Sequence, residues 1–260
     1  MKRFTLSLIA LATGLALAAP AARADHRYFL QSYPPFVSEK GESEISMWTT
    51  ALLGQNNSVG TAWNNRAEYE YAISDRLMSA LYLNWTQASG AAAAQHFDGL
   101  SLEAIYAFAE PGRIAFNPSA YLEVGESGDA LSLEPALLLG EKYGAWMAGA
   151  NVIGEVELRH RPGPGESGTE KAFSLTGGLS RDIGKQVALS LEARYTQVFP
   201  GGGEHPAALF LGPTLDLDAD KVQLLLGWHP QLTGSPVTSK GLNLSEFAKS
   251  EFRMLLSIEL

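Results

Sequence analysis

Residues 62–73, with the sequence AWNNRAEYEYAI, decide how the chain folds. Polar and largely apolar side chains alternate along this stretch: Asn64, Arg66, Glu68 and Glu70 against Asn65, Ala67, Tyr69, Tyr71 and Ile73. Because successive side chains of a strand point to opposite faces, this alternation predicts a strand with one polar and one apolar face. A length of about ten residues is also what a tilted strand needs to cross a bilayer.

The same alternation returns along most of the chain, for example over residues 100–108 and 187–196. It gives twelve candidate strands: 43–54, 61–73, 76–87, 96–108, 113–125, 129–140, 143–159, 171–181, 186–198, 207–217, 221–229 and 249–260. Hydrocarbon offers no hydrogen bonds to a free sheet edge, so such a sheet must close. We therefore predict an all-β fold, an antiparallel transmembrane β-barrel of about 12 strands.

The connections between these candidates alternate in length. Joins after even-numbered candidates are short, as at Ser74-Asp75 and Glu141-Lys142, whereas joins after odd-numbered ones are generally longer, as at 160–170 and 230–248. Outer-membrane barrels have short periplasmic turns and longer external loops. Pro118, Pro135 and Pro213 fall inside candidate strands and predict bulges or displaced boundaries, because proline removes a ladder donor.

Composition narrows the class of protein further. The chain has 260 residues, 46% of them apolar, and no cysteine, which excludes disulfide-stapled domains, thiolate metal sites and cysteine catalysis. Residues 1–24 have the pattern of a signal peptide, with Lys2 and Arg3 before an apolar stretch and a small-x-small site at its end. Loss of its three basic residues changes the formal net charge from −9 to −12, so we expect no nucleic-acid partner.

The remaining chain divides into an N-terminal periplasmic segment, residues 25–42, and the barrel, residues 43–260. The aromatic stretch 28–36, YFLQSYPPF, lies in the first of these. Two alternatives stay open for it: a tail packed on the periplasmic rim, or a short plug.

Charged residues on the polar face of the candidate strands are expected to line the lumen. They are Glu44, Arg66, Glu68, Glu70, Glu103, Glu123, Glu134, Glu155, Glu157, Glu192 and Arg194. These long side chains can fill a narrow barrel through hydrogen bonds and ion pairs. Alternatively, nine acids against two arginines leave carboxylates unpaired, and an acidic lining favours cations. The sequence does not choose between these interpretations.

Histidine and tryptophan suggest less specific roles. His96, His160, His205 and His229 fall at or near the predicted external end, either as ordinary loop residues or as a rim that captures a transition metal. A triad of a serine with His160 and Asn151 or Glu155 is disfavoured, because His160 has the opposite strand parity. The tryptophans are expected to form an interfacial girdle: Trp48, Trp63, Trp85, Trp146 and Trp228.

Residues 39–86 carry a family resemblance. Its elements are Glu39-Lys40-Gly41, Glu44, Trp48-Thr49, Arg66, Glu68-Tyr69-Glu70-Tyr71, Asp75-Arg76-Leu77 and Leu81-Tyr82-Leu83-Asn84. This segment resembles an uncharacterised family of bacterial outer-membrane β-barrels and is similar, more distantly, to the phenol-degradation (MetA-pathway) transporter barrels. Ala72 stands where those barrels usually have Gly. The resemblance implies export or permeation of a small molecule.

Together these observations predict a porin-like or transporter-like barrel in the cell outer membrane that passes small solutes, with cations or neutral molecules favoured. The expected partners are the lipid bilayer, the barrel-assembly machinery and a small-molecule solute. No cofactor, bound metal or catalytic residue is expected, so the chain is not predicted to be an enzyme. The alternatives are a closed structural or partner-binding barrel that acts through its external loops and, third, an outer-membrane lipid-modifying enzyme.

Overall fold

The computed structural model describes residues 26–55, 60–88, 94–163 and 167–260. The predicted signal peptide, residues 1–24, lies outside the described residues. No helix within these ranges is long and apolar enough to cross a membrane.

Twelve antiparallel strands form one closed barrel. They are β1 Ser43–Leu53, β2 Thr61–Ser74, β3 Leu77–Gln87, β4 Gln95–Ala107, β5 Ser119–Glu126, β6 Ala130–Tyr143, β7 Trp146–Arg159, β8 Thr169–Asp182, β9 Val187–Phe199, β10 Ala207–Ala219, β11 Val222–Ser235 and β12 Ser250–Glu259. Each strand pairs with its neighbours in sequence, and β1 pairs with β12, with Trp48 opposite Leu255. The predicted fold class is therefore confirmed.

The outer face of the barrel is apolar and its inner face is polar. Along β2, Tyr69, Tyr71 and Ile73 are 46%, 43% and 47% exposed, whereas Glu68 and Glu70 are buried at 4% and 3%. The other strands continue this outer belt with exposed residues that include Leu81, Leu83, Leu100, Leu102, Leu122, Leu175, Leu179, Leu189, Leu191 and Leu256. Exposed apolar side chains outside and buried carboxylates inside invert the pattern of a water-soluble protein, as a bilayer requires.

Two strand boundaries differ from the sequence-based prediction. β5 begins at Ser119, so Pro118 lies just before it and the connection from β4 is not a short turn. β11 continues to Ser235, well beyond the predicted end at residue 229. Pro135 and Pro213 do lie inside strands, and the strand pairing is interrupted at each of them. The β6–β7 pairing skips Pro135, and the β10–β11 pairing skips Pro213.

The two ends of the barrel remain distinct. The connections at one end begin at residues 75, 108, 144, 183 and 220, and this end also carries both termini of the barrel, Ser43 and Glu259. We call it the short-turn end, which is the periplasmic end in barrels of this type. The opposite, long-loop end carries the other six connections: 54–60, 88–94, 127–129, 160–168, 200–206 and 236–249.

The lipid-facing assignment predicts that a charge placed on the outer face destabilises the barrel more than the same charge placed in the lumen. Leu191 is 55% exposed on the outer face, so Leu191→Arg should destabilise the barrel in lipid vesicles by about 2–4 kcal/mol. The matched control is Asn64→Arg, because Asn64 is exposed inside the barrel mouth. Urea unfolding in vesicles measures both, and equal losses at the two positions would contradict the assignment.

Candidate functional site

Residues 26–42 fold back into the barrel, with residues 26–38 in its lumen and the exposed residues 39–41 at its short-turn end. We call this segment the plug. Its central residues are almost completely inaccessible, with Phe29 at 0%, Leu30 at 3% and Tyr28 at 5% exposure. Of the two alternatives for the aromatic stretch, the structure therefore has the plug. The expectation of a periplasmic segment is corrected to one that runs into the lumen from the short-turn end, beside Asp75 and Asp216.

Small residues in the barrel wall make room for the plug. Phe29 packs beside Gly149 and Gly178, where an added Cβ would lie only 2.9 Å and 2.6 Å from its ring. Leu30 packs in the same way against Gly227. Around these glycines the plug completes small apolar clusters, one joining Tyr28 and Phe29 with Met147.

Polar side chains of the wall bind the main chain of the plug. Glu192 accepts hydrogen bonds from the backbone N–H groups of Leu30 at 3.0 Å and Gln31 at 2.6 Å. Asn151 binds Tyr33 twice, accepting from its N–H at 2.7 Å and donating to its carbonyl at 2.9 Å.

Plug carbonyls are bound by side chains from four strands, β5, β9, β11 and β12. Gln223, Ser190, Arg253 and Ser119 donate to the carbonyls of Arg27, Tyr28, Leu30 and Pro35, respectively. Ser32 of the plug also donates to Thr176 at 3.0 Å. The plug is thus held by wall residues all around the barrel, each satisfying a polar group that burial would otherwise leave unpaired.

The charged end of the plug meets a cluster of wall carboxylates. The guanidinium of Arg27 lies 3.5 Å from Glu68 and 3.7 Å from Glu70. Glu103 completes a group in which one oxygen of each of the three carboxylates lies within 4.8 Å of the others. The rings of Tyr33 and Trp48 flank the same guanidinium, at 4.8 Å and 5.1 Å. We call Trp48, Glu68, Glu70 and Glu103 the Arg27 site.

Other lumen charges pair with one another across strands. Arg66 binds Glu123 through both terminal nitrogens, the shorter contact being 2.8 Å. Arg194 donates to Glu251 at 2.6 Å. These pairs follow the first interpretation of the lumen, in which long side chains fill the barrel, for part of the predicted set.

All eleven residues predicted to line the lumen lie on the inward face. Glu68, Glu70, Glu103, Glu123 and Glu192 are buried, and Glu44 is hydrogen-bonded to the inward-facing Ser46. Arg66 and Arg194 form the ion pairs described above, while Glu134, Glu155 and Glu157 border an open cavity. The set therefore divides into a buried part deep in the barrel and an open part toward the long-loop end, with Glu123 at the boundary between them.

The open part is a polar vestibule made of two adjoining cavities of about 250 Å³ and 380 Å³. Both cavities are bordered by Arg66, Asn84 and Asp98, so they are neighbouring parts of one space. The first is strongly acidic, with Asp98, Glu123, Glu126, Glu134, Glu155 and Glu157 along its wall. The second has Trp48 and Trp85 in its wall, and Gln31 and Tyr33 of the plug reach it from below.

Several functional residues escaped the sequence analysis. Trp48 was assigned to the girdle, but its indole N–H donates to Glu68 inside the lumen, so that assignment is wrong. His229 was placed at the external end but is fully buried, 3.7 Å from Glu192. The inward-facing Asp216, Glu251 and Arg253 were also missed, although each keeps the strand parity that would have identified it.

The rim and triad hypotheses find no support among the described residues. His96 hydrogen-bonds to Asp98, His160 hydrogen-bonds to Glu126, and the ring of His205 packs at a tilt against Phe199, so each of these histidines has a separate partner. Asn151 is hydrogen-bonded to Tyr33 and Thr176 and not to His160.

Comparisons with solved structures agree on the fold. The chain is similar to an outer-membrane channel from Pseudomonas putida F1, with a TM-score of 0.61 and 11% identity over 89% of this chain and 100% of that one. It is also similar to the NanC porin, with a TM-score of 0.59 and 9% identity over 83% and 100% of the two chains. The corresponding values for the KdgM porin are 0.54 and 10%, over 83% and 99%.

No family model matches the chain, and no curated protein matches it. At these identities the structural likeness establishes the architecture, which is that of outer-membrane porin and channel barrels. Combined with the apolar outer belt, this architecture places the barrel in an outer membrane.

Proposed function

We propose that the barrel passes small solutes across the outer membrane and that cations or neutral molecules pass more readily than anions. The observation that carries the proposal is the acidic vestibule, which leads from the long-loop end to the plug inside a closed barrel. The porin and channel architecture of the similar structures supports a passage function in general.

The charge of the vestibule sets the preference. Six carboxylates border its first cavity, and the cation on the same wall, Arg66, is already paired with Glu123. A wall that carries one sign of charge attracts counter-ions and repels ions of like charge. An anionic solute would therefore meet an electrostatic barrier before it reached the plug.

Passage requires the plug to shift. Its residues lie across the lumen and are held by hydrogen bonds, ion pairs and apolar packing, all of which are reversible. The segment enters from the short-turn end and joins β1 at Ser43, so it can withdraw without unpairing a strand.

A second candidate follows from the extent of these plug contacts. A barrel whose plug never moves would be a closed structural or partner-binding barrel that acts through its external loops. Conductance separates the two candidates, because only the first predicts currents.

The remaining sequence-based expectations enter the proposal unchanged. We infer delivery by the barrel-assembly machinery, and we infer that the protein is not an enzyme. The more specific resemblance to the phenol-degradation transporter barrels also stays a proposal. It implies export or permeation of a small molecule.

A disulfide lock tests whether the plug gates passage. The chain has no cysteine, and the hydroxyl oxygens of Ser32 and Thr176 lie 3.0 Å apart, close enough for two sulfurs at these positions to bond. In planar bilayers, the oxidised Ser32→Cys/Thr176→Cys double variant should show strongly reduced conductance, and reductant should restore it. Equal currents in both states would contradict gating. Absence of current in both states and in the unmodified protein would favour the second candidate.

Charge neutralisation tests the selectivity. The Glu155→Gln/Glu157→Gln double variant should lower the preference for potassium over chloride, measured as a smaller reversal potential under a KCl gradient. Glu110→Gln is the control, because Glu110 is exposed in the connection between β4 and β5. An unchanged reversal potential in the double variant would mean that these vestibule carboxylates do not determine the ion selectivity.

The start of the plug gives a pH dependence. Burial lowers the pKa of His26, but hydrogen bonds to Asp216 and Asp218 outweigh this effect and raise the pKa from 6.5 to about 9. The charged histidine therefore holds the plug at neutral pH, and this contribution is lost as the pH rises through about 9. Open probability should rise across that range in the unmodified protein. The His26→Gln variant should have a higher open probability at neutral pH, and its open probability should change little with pH. If the variant kept the pH profile of the unmodified protein, another group would be responsible for the titration.

A further inference from the structure

The Arg27 site is built to hold a cation with several donors. Arg27 is 5% exposed, and its guanidinium lies against Glu68 and Glu70 and between two aromatic rings. Carboxylates in the plane of a guanidinium and aromatic rings over its face are the two contacts that this group prefers. The plug thus supplies its own guanidinium to a site on the barrel wall.

The carboxylates of the wall provide more hydrogen-bond acceptor atoms than Arg27 occupies. Two buried carboxylates, Glu68 and Glu70, contact the guanidinium, and a third, Glu103, lies beside them. Glu103 is 0% exposed, and its Oε1 has no hydrogen-bond partner. A buried carboxylate oxygen without a donor is costly, so this atom marks a position where a further N–H group would be bound.

The edge of the site borders the vestibule. Trp48 and Tyr33, the two rings that flank Arg27, both border the second vestibule cavity. A cation that enters this cavity therefore meets the edge of the site before it meets the rest of the plug.

We propose that the Arg27 site recognises guanidinium and alkylammonium groups of organic solutes, which displace Arg27 and so release the plug. This inference rests on the proposed passage function and deepens it, because it names the class of solute that opens the barrel. Exchange of one cation for another keeps the buried carboxylates compensated. A neutral solute that displaced Arg27 would leave them unpaired, and that cost is large in a buried site.

The arrangement suits an organic cation better than a metal ion. Oε2 of Glu68 already accepts a hydrogen bond from Trp48 at 2.7 Å. The single hydroxyl proton of Tyr82 lies between Oε1 of Glu68, at 3.0 Å, and Oε2 of Glu103, at 2.5 Å, so these two atoms share one donor. Calcium takes about six to eight oxygen ligands, more than the remaining carboxylate atoms provide. The ring of Trp48 adds an attraction that a hydrated metal ion would use poorly.

The test measures plug release without relying on current. Ser32 is buried at 3% in the plug, so Ser32→Cys in the full mature chain should react slowly with a small maleimide while the plug is in place. Methylguanidinium at millimolar concentration should accelerate labelling by about fivefold or more, the usual range for coupled sites. Urea at the same concentration is the matched control, since it has the shape of guanidinium without the charge, and it should have no effect.

Variants locate the effect. Arg27→Gln should label quickly without any added cation and lose the response to methylguanidinium. Glu70→Gln keeps Arg27 and the size of the site, and it should weaken the response, which keeps the test decisive if the first variant fails to fold. Arg113→Gln removes an exposed guanidinium in the connection between β4 and β5 and should behave as the unmodified protein.

The outcomes separate this inference from the proposed function. Currents that respond to the disulfide lock, with no acceleration of labelling by methylguanidinium, would overturn the inference alone. Accelerated labelling in a barrel that never conducts would support cation-driven plug release and overturn passage. Equal acceleration by urea, or by magnesium chloride alone, would overturn recognition of organic cations.

Discussion

The structure depends on one constraint: carboxylates that the closed barrel removes from water must find donors inside it. Glu192 is fully buried, yet it receives hydrogen bonds from two plug N–H groups and from Thr214. Glu68 receives the indole N–H of Trp48, shares the hydroxyl proton of Tyr82 with Glu103, and lies against Arg27. Because unpaired buried charges are costly, the polar groups of the wall and the plug form one hydrogen-bonded network.

Shape reinforces this electrostatic match. The wall carries glycine where the apolar residues of the plug approach it, and a methyl group at Gly178 would lie within 2.6 Å of the Phe29 ring. Glycine in a strand otherwise weakens it, so its use at these positions reflects the close approach of the plug. Packing and hydrogen bonding thus select the same register of plug against wall. The plug is consequently a defined structural element of the barrel rather than a loosely held tail.

The barrel could be predicted from sequence because its period-two alternation is a local property that every strand repeats. The same parity placed Glu68, Glu103 and Glu192 on the inward face. Height along the barrel axis could not be predicted, because tilted strands of unequal length shift residues relative to their neighbours. This is why His229 was placed at the rim although it is buried. Trp48 is a different case, because it shares the strand parity of Glu44 and that parity already indicates the lumen. The sequence left two alternatives open for the plug for a related reason: its partners lie on strands all around the barrel, and no single segment encodes them.

This mutual dependence limits what can replace the plug. When it withdraws, Glu192 loses two backbone donors and the carboxylates around Arg27 lose their cation. Water can supply donors where the lumen widens, but three carboxylates within a few ångströms of each other also need positive charge. The free-energy cost of removing the plug is therefore lowest when a cation enters the Arg27 site as Arg27 leaves it. In the function proposed above, the acidic vestibule concentrates cations next to that position, so the charge distribution that attracts the solute also lowers the cost of releasing the plug.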